Sequence, residues 1–203
     1  MSSKLARAWL IRALDAEARS SKTRSAAQRR MLRWTAVEAL MIAASLGERQ
    51  AFVKLGADYR DNDPAVTPDQ LDIAEHWFRL GAAAKEPMAM LGLGMLLMDL
   101  GRRAEGRRWL REALVHGEGV AAFNLGREIE ETSPSRALRL YLKGVALGDP
   151  LSAYGAGELL EKGGSRMELL RAAKMYAKAA RRRIPNATAA LERVRDQLRG
   201  APE

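Results

Sequence analysis

The chain has 203 residues, 47% of them apolar, which is enough to bury a sizeable core in one elongated domain. It contains no cysteine, which excludes disulfides and thiolate metal sites, and it has no apolar run long enough to span a membrane. The net charge of +9 sits at the ends, because residues 1–35 carry +7 and residues 166–203 carry +6, whereas residues 36–165 carry −4.

The first segment, residues 1–35, is rich in arginine and serine and poor in acids. Organellar transit peptides share that composition, but we expect a helix that is retained. Its apolar residues have helical spacing, and Ala6 and Trp9 match Gly106 and Trp109 further along the chain. The segment is therefore predicted to form a basic helical cap or a degenerate first repeat.

Two short signatures alternate along the rest of the chain. The first is Ala-x-x-x-Leu-Gly or a close variant, and its final glycines are Gly56, Gly94, Gly126 and Gly157, which are 38, 32 and 31 residues apart. The second is a small residue, then an aromatic or leucine four positions later, and its copies start at residues 36, 74, 106, 137 and 172. The distances between successive copies of the two signatures lengthen and shorten together, and both signatures have helical spacing. Each repeat is therefore predicted to be two antiparallel helices.

Boundary residues follow the same period. Thr67, Pro68 and Gln70 have the order of a capping box with proline at the first helical position. Ser165 and Glu168 repeat that box after two glycines, which are expected to stop the preceding helix. The prolines predicted to mark the junctions between repeats are Pro87, Pro150 and Pro185.

From about Ala36 to Arg183 these signatures resemble the Sel1-like repeat, a member of the tetratricopeptide superfamily. The resemblance implies an all-α fold, namely a right-handed α-solenoid of antiparallel helix pairs. The predicted organisation is an N-terminal cap over 1–35, Sel1-like repeats over 36–184, and a capping helix and tail over 185–203. Glu192 stands where a further first signature would have glycine, which favours a terminal cap over a full repeat.

The sequence offers no constellation of catalytic residues. Neither His76 nor His116 has a second His, a Cys or a pair of carboxylates at metal-ligand spacing, and the Gly92–Gly94 pair lacks the third glycine of a dinucleotide-binding loop. We therefore predict no catalytic, cofactor-binding or metal-binding residue and no cofactor, and expect a binding protein in place of an enzyme.

In the tetratricopeptide superfamily the first helix of each pair lines the concave surface, where polypeptide segments usually bind. The partner-binding residues that this implies are Val53, Arg60, Leu91, Met95, Met98, Phe123, Arg127, Glu130, Tyr154, Glu158 and Glu161. The stripe is apolar at its start and acidic at its end, so it suits a protein or peptide with apolar and basic groups. Met95 and Met98 fit a core as well as a groove, which makes Phe123 and Tyr154 the more informative positions.

We therefore predict a non-catalytic scaffold or adaptor for protein–protein interaction, cytoplasmic, bacterial and without membrane association. The alternative is a polyanion-binding module that holds nucleic acid through the basic terminal segments. Basic clusters on the second helices, such as the one that contains Lys174 and Lys178, are expected to be solvated helix faces.

Overall fold

A computed structural model describes residues 2–61 and 68–200, and all regular secondary structure in these residues is α-helical. The helices are α1 (Ser2–Lys22), α2 (Ala26–Ser45), α3 (Arg49–Asp61), α4 (Pro68–Ala83), α5 (Pro87–Asp99), α6 (Arg103–Val115), α7 (Gly119–Ile129), α8 (Pro134–Ala146), α9 (Pro150–Gly163), α10 (Arg166–Arg181) and α11 (Ala187–Gly200). The chain divides into two compact units, Met1–Trp109 and Leu110–Glu203, with the boundary inside α6. The predicted all-α class is confirmed.

Consecutive helices pack as pairs within each unit. In unit 1, α1 packs on α2 and α3 on α4; in unit 2, α7 packs on α8 and α9 on α10. The connections are short, since α9 ends at Gly163 and α10 begins at Arg166. Helices joined so closely run antiparallel, as the two alternating signatures predict. First helices of successive pairs also touch, α3 against α5 and α7 against α9.

The predicted boundary at residue 35 falls inside a helix. The end of the predicted cap and the signature copy that starts at residue 36 belong to a single 20-residue helix, α2. Nothing interrupts it, because residues 26–45 contain neither glycine nor proline. Ser25 caps its start, since the Ser25 hydroxyl accepts a hydrogen bond from the Gln28 backbone N–H at 3.3 Å.

Other helix ends lie where the sequence predicts them. Ser165 and Glu168 form the capping box at the start of α10, and Gly164 adopts a left-handed conformation with φ of 75° that ends α9. Pro87 and Pro150 are the first residues of α5 and α9. α4 begins at Pro68, as expected, while Thr67 lies outside the described residues.

Glycines in the first helices form sockets for aromatic rings of the second helices. In unit 1 the buried ring of Phe78 lies against Gly56, where a methyl group would stand 2.6 Å from the ring carbon Cδ1, and it also lies against Gly92. In unit 2 the ring of Tyr141 lies between Gly126 and Gly155 in the same way. Each ring thus joins the first helix of its own pair to the first helix of the next pair. The glycines are needed because the ring occupies the space of a side chain.

Candidate functional site

The candidate site in unit 2 is the surface formed by the first helices α7 and α9. We call it the first-helix face, and its members are Phe123 and Arg127 of α7, the residue Glu130 that caps the end of α7, and Tyr154, Glu158 and Glu161 of α9. The three positions of α9 follow those of α7 by 31 residues, as do the glycines Gly126 and Gly157. The repeat therefore places the same two rows of side chains on neighbouring helices.

The aromatic pair of this face is half-buried. Phe123 packs beside Tyr141 with the ring centroids 5.9 Å apart, and Tyr154 packs beside Tyr176 at 5.5 Å. Each ring therefore stands with one side on the core and the other part in solvent. Such rings offer large contact area with little freedom left to lose on binding.

Glu130 is almost buried, with 8% of its surface exposed, and its carboxylate accepts three hydrogen bonds. The donors are the Tyr141 hydroxyl at 2.7 Å, Lys162 Nζ at 3.2 Å and an Arg127 guanidinium nitrogen at 3.2 Å. Burial acts to raise the pKa of Glu130, but these bonds and the two positive charges outweigh it and hold the pKa below its usual value. Burial and the bond to Glu130 raise the pKa of the Tyr141 hydroxyl.

Glu161 repeats this arrangement one pair later. The Tyr176 hydroxyl donates a hydrogen bond to Glu161 at 2.7 Å, and the Arg193 guanidinium donates two hydrogen bonds to the same carboxylate, at 2.7 and 2.8 Å. The Arg193 bond is the main cause of the lowered pKa of Glu161, which outweighs the opposing effect of burial. In both cases a carboxylate of a first helix joins a tyrosine of the second helix to a cation 32 residues further on. We call this unit of three side chains a clasp.

The clasps change the predicted chemistry of the face. Two of its acids, Glu130 and Glu161, are neutralised within the chain, so the acidic end of the stripe is less available to a basic partner than its composition indicates. Glu158 differs, because burial raises its pKa and the charge of Glu130 adds to the increase. It lines a cavity of about 340 Å³ together with Glu161, Lys162, Tyr176 and Arg193.

The predicted residues of the other repeats lie in unit 1. Val53 and Arg60 of α3 are half-buried, as are Met95 and Met98 of α5. Leu91 is buried, with 6% of its surface exposed. Because α5 is apolar on every side, its composition does not distinguish an outward stripe from a core stripe. Leu91 therefore offers a partner little surface, while the six residues of unit 2 are brought together on one face.

The clasp tyrosines and Arg193 were not among the predicted site residues. One signal was present, since the spacing of 32 residues from Glu130 to Lys162 recurs from Glu161 to Arg193. Unit 1 also has a cavity of about 260 Å³, whose lining includes Arg30, Arg33 and the exposed ring of Trp34, and no repeat signature covers these residues.

Across 2–61 and 68–200, no group of three His, Cys, Asp or Glu side chains is placed to hold a metal ion. None of the helices in this part of the chain combines the length and the apolar content needed to cross a bilayer.

Comparison with known proteins identifies the fold. No protein-family model and no curated protein sequence matches the chain. Among solved structures, the chain is similar to the crystal structure of a Sel1 repeat protein from Oxalobacter formigenes, with 22% sequence identity and a TM-score of 0.62. The match covers 82% of this chain and 79% of that one. The Sel1-like repeat fold that the sequence signatures predict is therefore confirmed.

Proposed function

Proceeding from the Sel1-like repeat fold of this chain, which is typical of protein–protein interaction, we propose that it is a non-catalytic scaffold that binds a polypeptide segment on the first-helix face of unit 2. The observation that supports this most is the pair of half-buried rings, Phe123 and Tyr154, at equivalent positions of neighbouring helices. We propose a bacterial cytoplasm as its setting, as the family resemblance implies.

The partner that fits this face has apolar side chains and at least one basic group. Its apolar side chains would cover the exposed parts of the two rings, which removes apolar surface from water. Its basic group would approach Glu158, whose pKa is raised by burial and by the charges of Glu130 and Glu161. A cation placed there would favour the charged form of Glu158, so binding and ionisation would support each other.

The test begins with peptides selected from a random displayed library on the wild-type protein. Binding of the selected peptide is then measured by fluorescence anisotropy for the double variant Phe123→Leu/Tyr154→Leu, which keeps apolar volume at both positions. We expect affinity to fall at least about tenfold, since aromatic anchors carry much of the energy of an interface.

The matched control is Leu142→Ala. Leu142 of α8 is partly buried in the same hydrophobic cluster as Phe123, so its truncation loosens the same core without altering the face. We expect this variant to bind the peptide within about twofold of wild type, because binding follows the hot-spot residues and not general packing. Equal affinities of wild type and double variant, or selection of no peptide by the wild type, would overturn the proposal.

A further inference from the structure

The second helices of unit 2 carry a concentration of positive charge. With their capping residues, α8 and α10 contain nine basic residues and one acid, Glu168. All nine are exposed: Arg136, Arg139, Lys143, Arg166, Arg171, Lys174, Lys178, Arg181 and Arg182. With their caps, the first helices α7 and α9 have the opposite balance, six acids and two bases. Charge in unit 2 is therefore separated between the two layers of helices.

Six of these cations form two stripes in register, which we call the basic face. They are Arg136, Arg139 and Lys143 of α8 and Arg171, Lys174 and Lys178 of α10. Within each stripe the spacing is three and then four residues, which puts the three side chains on one side of a helix over about 10 Å. Between the stripes the offset is 35 residues, the same as between the buried rings Tyr141 and Tyr176.

The two stripes lie on the second helices of successive pairs; none of their cations forms an ion pair in the described residues, and Arg171 acts on Glu168 only through its charge. Leu138 of α8 packs against the hydrophobic cluster that contains Leu169 and Tyr176 of α10, so the two helices share part of one core. The acid of these helices, Glu168, is engaged with Ser165 in the capping box. None of the six cations donates a hydrogen bond to an acidic side chain of the described residues.

The repeat fold itself does not require cations at these positions. The equivalent residues of the other second helices are Thr35, Glu38 and Ile42 in α2, Ile73, His76 and Leu80 in α4, and Glu105, Arg108 and Glu112 in α6. Stacking is therefore compatible with neutral, apolar or acidic residues there. The cationic stripes belong to α8 and α10 alone among the second helices.

We propose that the basic face binds the phosphate backbone of double-stranded nucleic acid without reading its sequence. Parallel rows of cations match rows of phosphates, and arginine and lysine are the side chains that make such contacts. No aromatic residue stands in the stripes, so the face has no platform for stacking the bases of a single strand. The exposed apolar residues nearest to the stripes, Leu147, Met167 and Leu170, lie at or near their ends, so the rows themselves present only charge to a partner.

The basic face shares α10 with the C-terminal basic segment named in the alternative prediction, but α8 belongs to neither terminal segment. α8 lies within residues 36–165, whose overall charge is negative because the first helices are acidic. The sum over that range conceals the stripe of α8, and only the separation of the two helix layers reveals it.

The test uses the full chain and a labelled DNA duplex of about 20 base pairs and arbitrary sequence, with binding followed by fluorescence anisotropy. Six phosphate contacts predict a loss of affinity of about a thousandfold between about 50 and 200 mM salt. The variant Arg136→Glu/Lys143→Glu/Arg171→Glu/Lys178→Glu is expected to lose at least about a hundredfold at the lower salt concentration. Glutamate suits these positions, since Glu105 and Glu112 occupy the equivalents of Arg136 and Lys143 in α6.

The matched control changes the same total charge elsewhere on exposed positions, as Lys4→Glu/Arg7→Glu/Arg29→Glu/Arg30→Glu in α1 and α2. It should keep duplex affinity within about fivefold, because long-range charge is screened. A variant with glutamine at the same four positions should also lose affinity for the duplex. Its circular dichroism spectrum should match that of the wild type, which would show that the loss of affinity is not caused by misfolding.

Three results would overturn the proposal. The first is the absence of duplex binding at the lower salt concentration. The second is an equal loss of affinity in the basic-face variant and the control. The third is tighter binding to phosphatidylserine vesicles or to polyglutamate than to the duplex, which would assign the basic face to a membrane or to an acidic protein.

Discussion

Phe78 in unit 1 and Tyr141 in unit 2 occupy equivalent glycine sockets, and the two side chains differ by one hydroxyl group. Both rings are buried against two glycines of the first helices. The Tyr141 hydroxyl bonds to Glu130, whereas the position equivalent to Glu130 in the Phe78 pair is Arg60. The ring alone is thus sufficient for stacking. The hydroxyl group is present in the pair that also has a carboxylate to accept its hydrogen bond.

In unit 1 a network of hydrogen-bonded charged side chains lies on and next to the second helices α4 and α6. Arg79 and Arg102 both bond to Glu75 and Glu105, at 2.6 to 2.9 Å, in a network on the surface of α4 and α6. The bond from Arg79 is the largest cause of the lowered pKa of Glu105. Exposed networks of this kind contribute little, since water and salt screen them. The clasps of unit 2 differ from the network of unit 1 in their third member, a tyrosine hydroxyl that donates to the carboxylate from a buried ring.

The largest effect is expected from removal of the ring. Phe78→Ala and Tyr141→Ala should each lower the free energy of unfolding by about 3–5 kcal/mol, because both leave a cavity between three helices. Urea denaturation followed by circular dichroism measures this. A loss under about 1 kcal/mol in either variant would show that the ring does not hold the stack.

Removal of the clasp acceptor ranks second. Glu130→Ala leaves the Tyr141 hydroxyl buried without its partner and should cost about 2–3 kcal/mol in the same denaturation experiment. Its matched control is the exposed neighbour Glu131→Ala, and a unit 1 comparison is Glu105→Ala; each should cost about 1 kcal/mol or less. Equal losses for Glu130 and Glu105 would remove the distinction between clasp and surface network.

Removal of the hydroxyl alone ranks third. Tyr141→Phe keeps the ring and should cost about 1–2 kcal/mol, and in the Glu130→Ala background it should cost close to nothing. This double-mutant cycle measures the coupling between the two side chains. A coupling energy near zero would mean that the 2.7 Å bond adds no stability.

Acid sensitivity is the smallest effect. The pKa values of Glu130 and Glu161 are lowered in the fold, so their extra stability is present above the unfolded value of about 4.3 and is lost as pH falls through the lower folded values. Melting temperatures of wild type and Glu130→Gln should therefore converge towards about pH 3. Parallel curves down to that pH would contradict the assignment.

The fold could be predicted because packing imposes a period on small and large residues. The ring sockets can also be recognised in the sequence. Gly92 and Gly155 follow second helices that have an aromatic residue, whereas the equivalent Asn124 follows a second helix that has Leu110 instead. The continuity of α2 was missed, since a shift in charge near residue 35 is no signal that a helix ends.

The site was less predictable because composition does not show which charges pair. Glu130 and Glu161 count as acids in the sequence, yet each is bound by a tyrosine and a cation from other helices. The basic face was concealed for a related reason, since a sum along the chain mixes two helix layers that the fold separates.

Unit 2 has two faces of different chemistry, an aromatic and acidic face on α7 and α9 and a cationic face on α8 and α10. Backbone amide NMR of the labelled protein tests this most directly, with the selected peptide and the DNA duplex titrated in turn. We predict that the peptide shifts signals of α7 and α9 and that the duplex shifts signals of α8 and α10. Shifts from both ligands on the same helices, or duplex shifts confined to residues 1–35, would contradict the account.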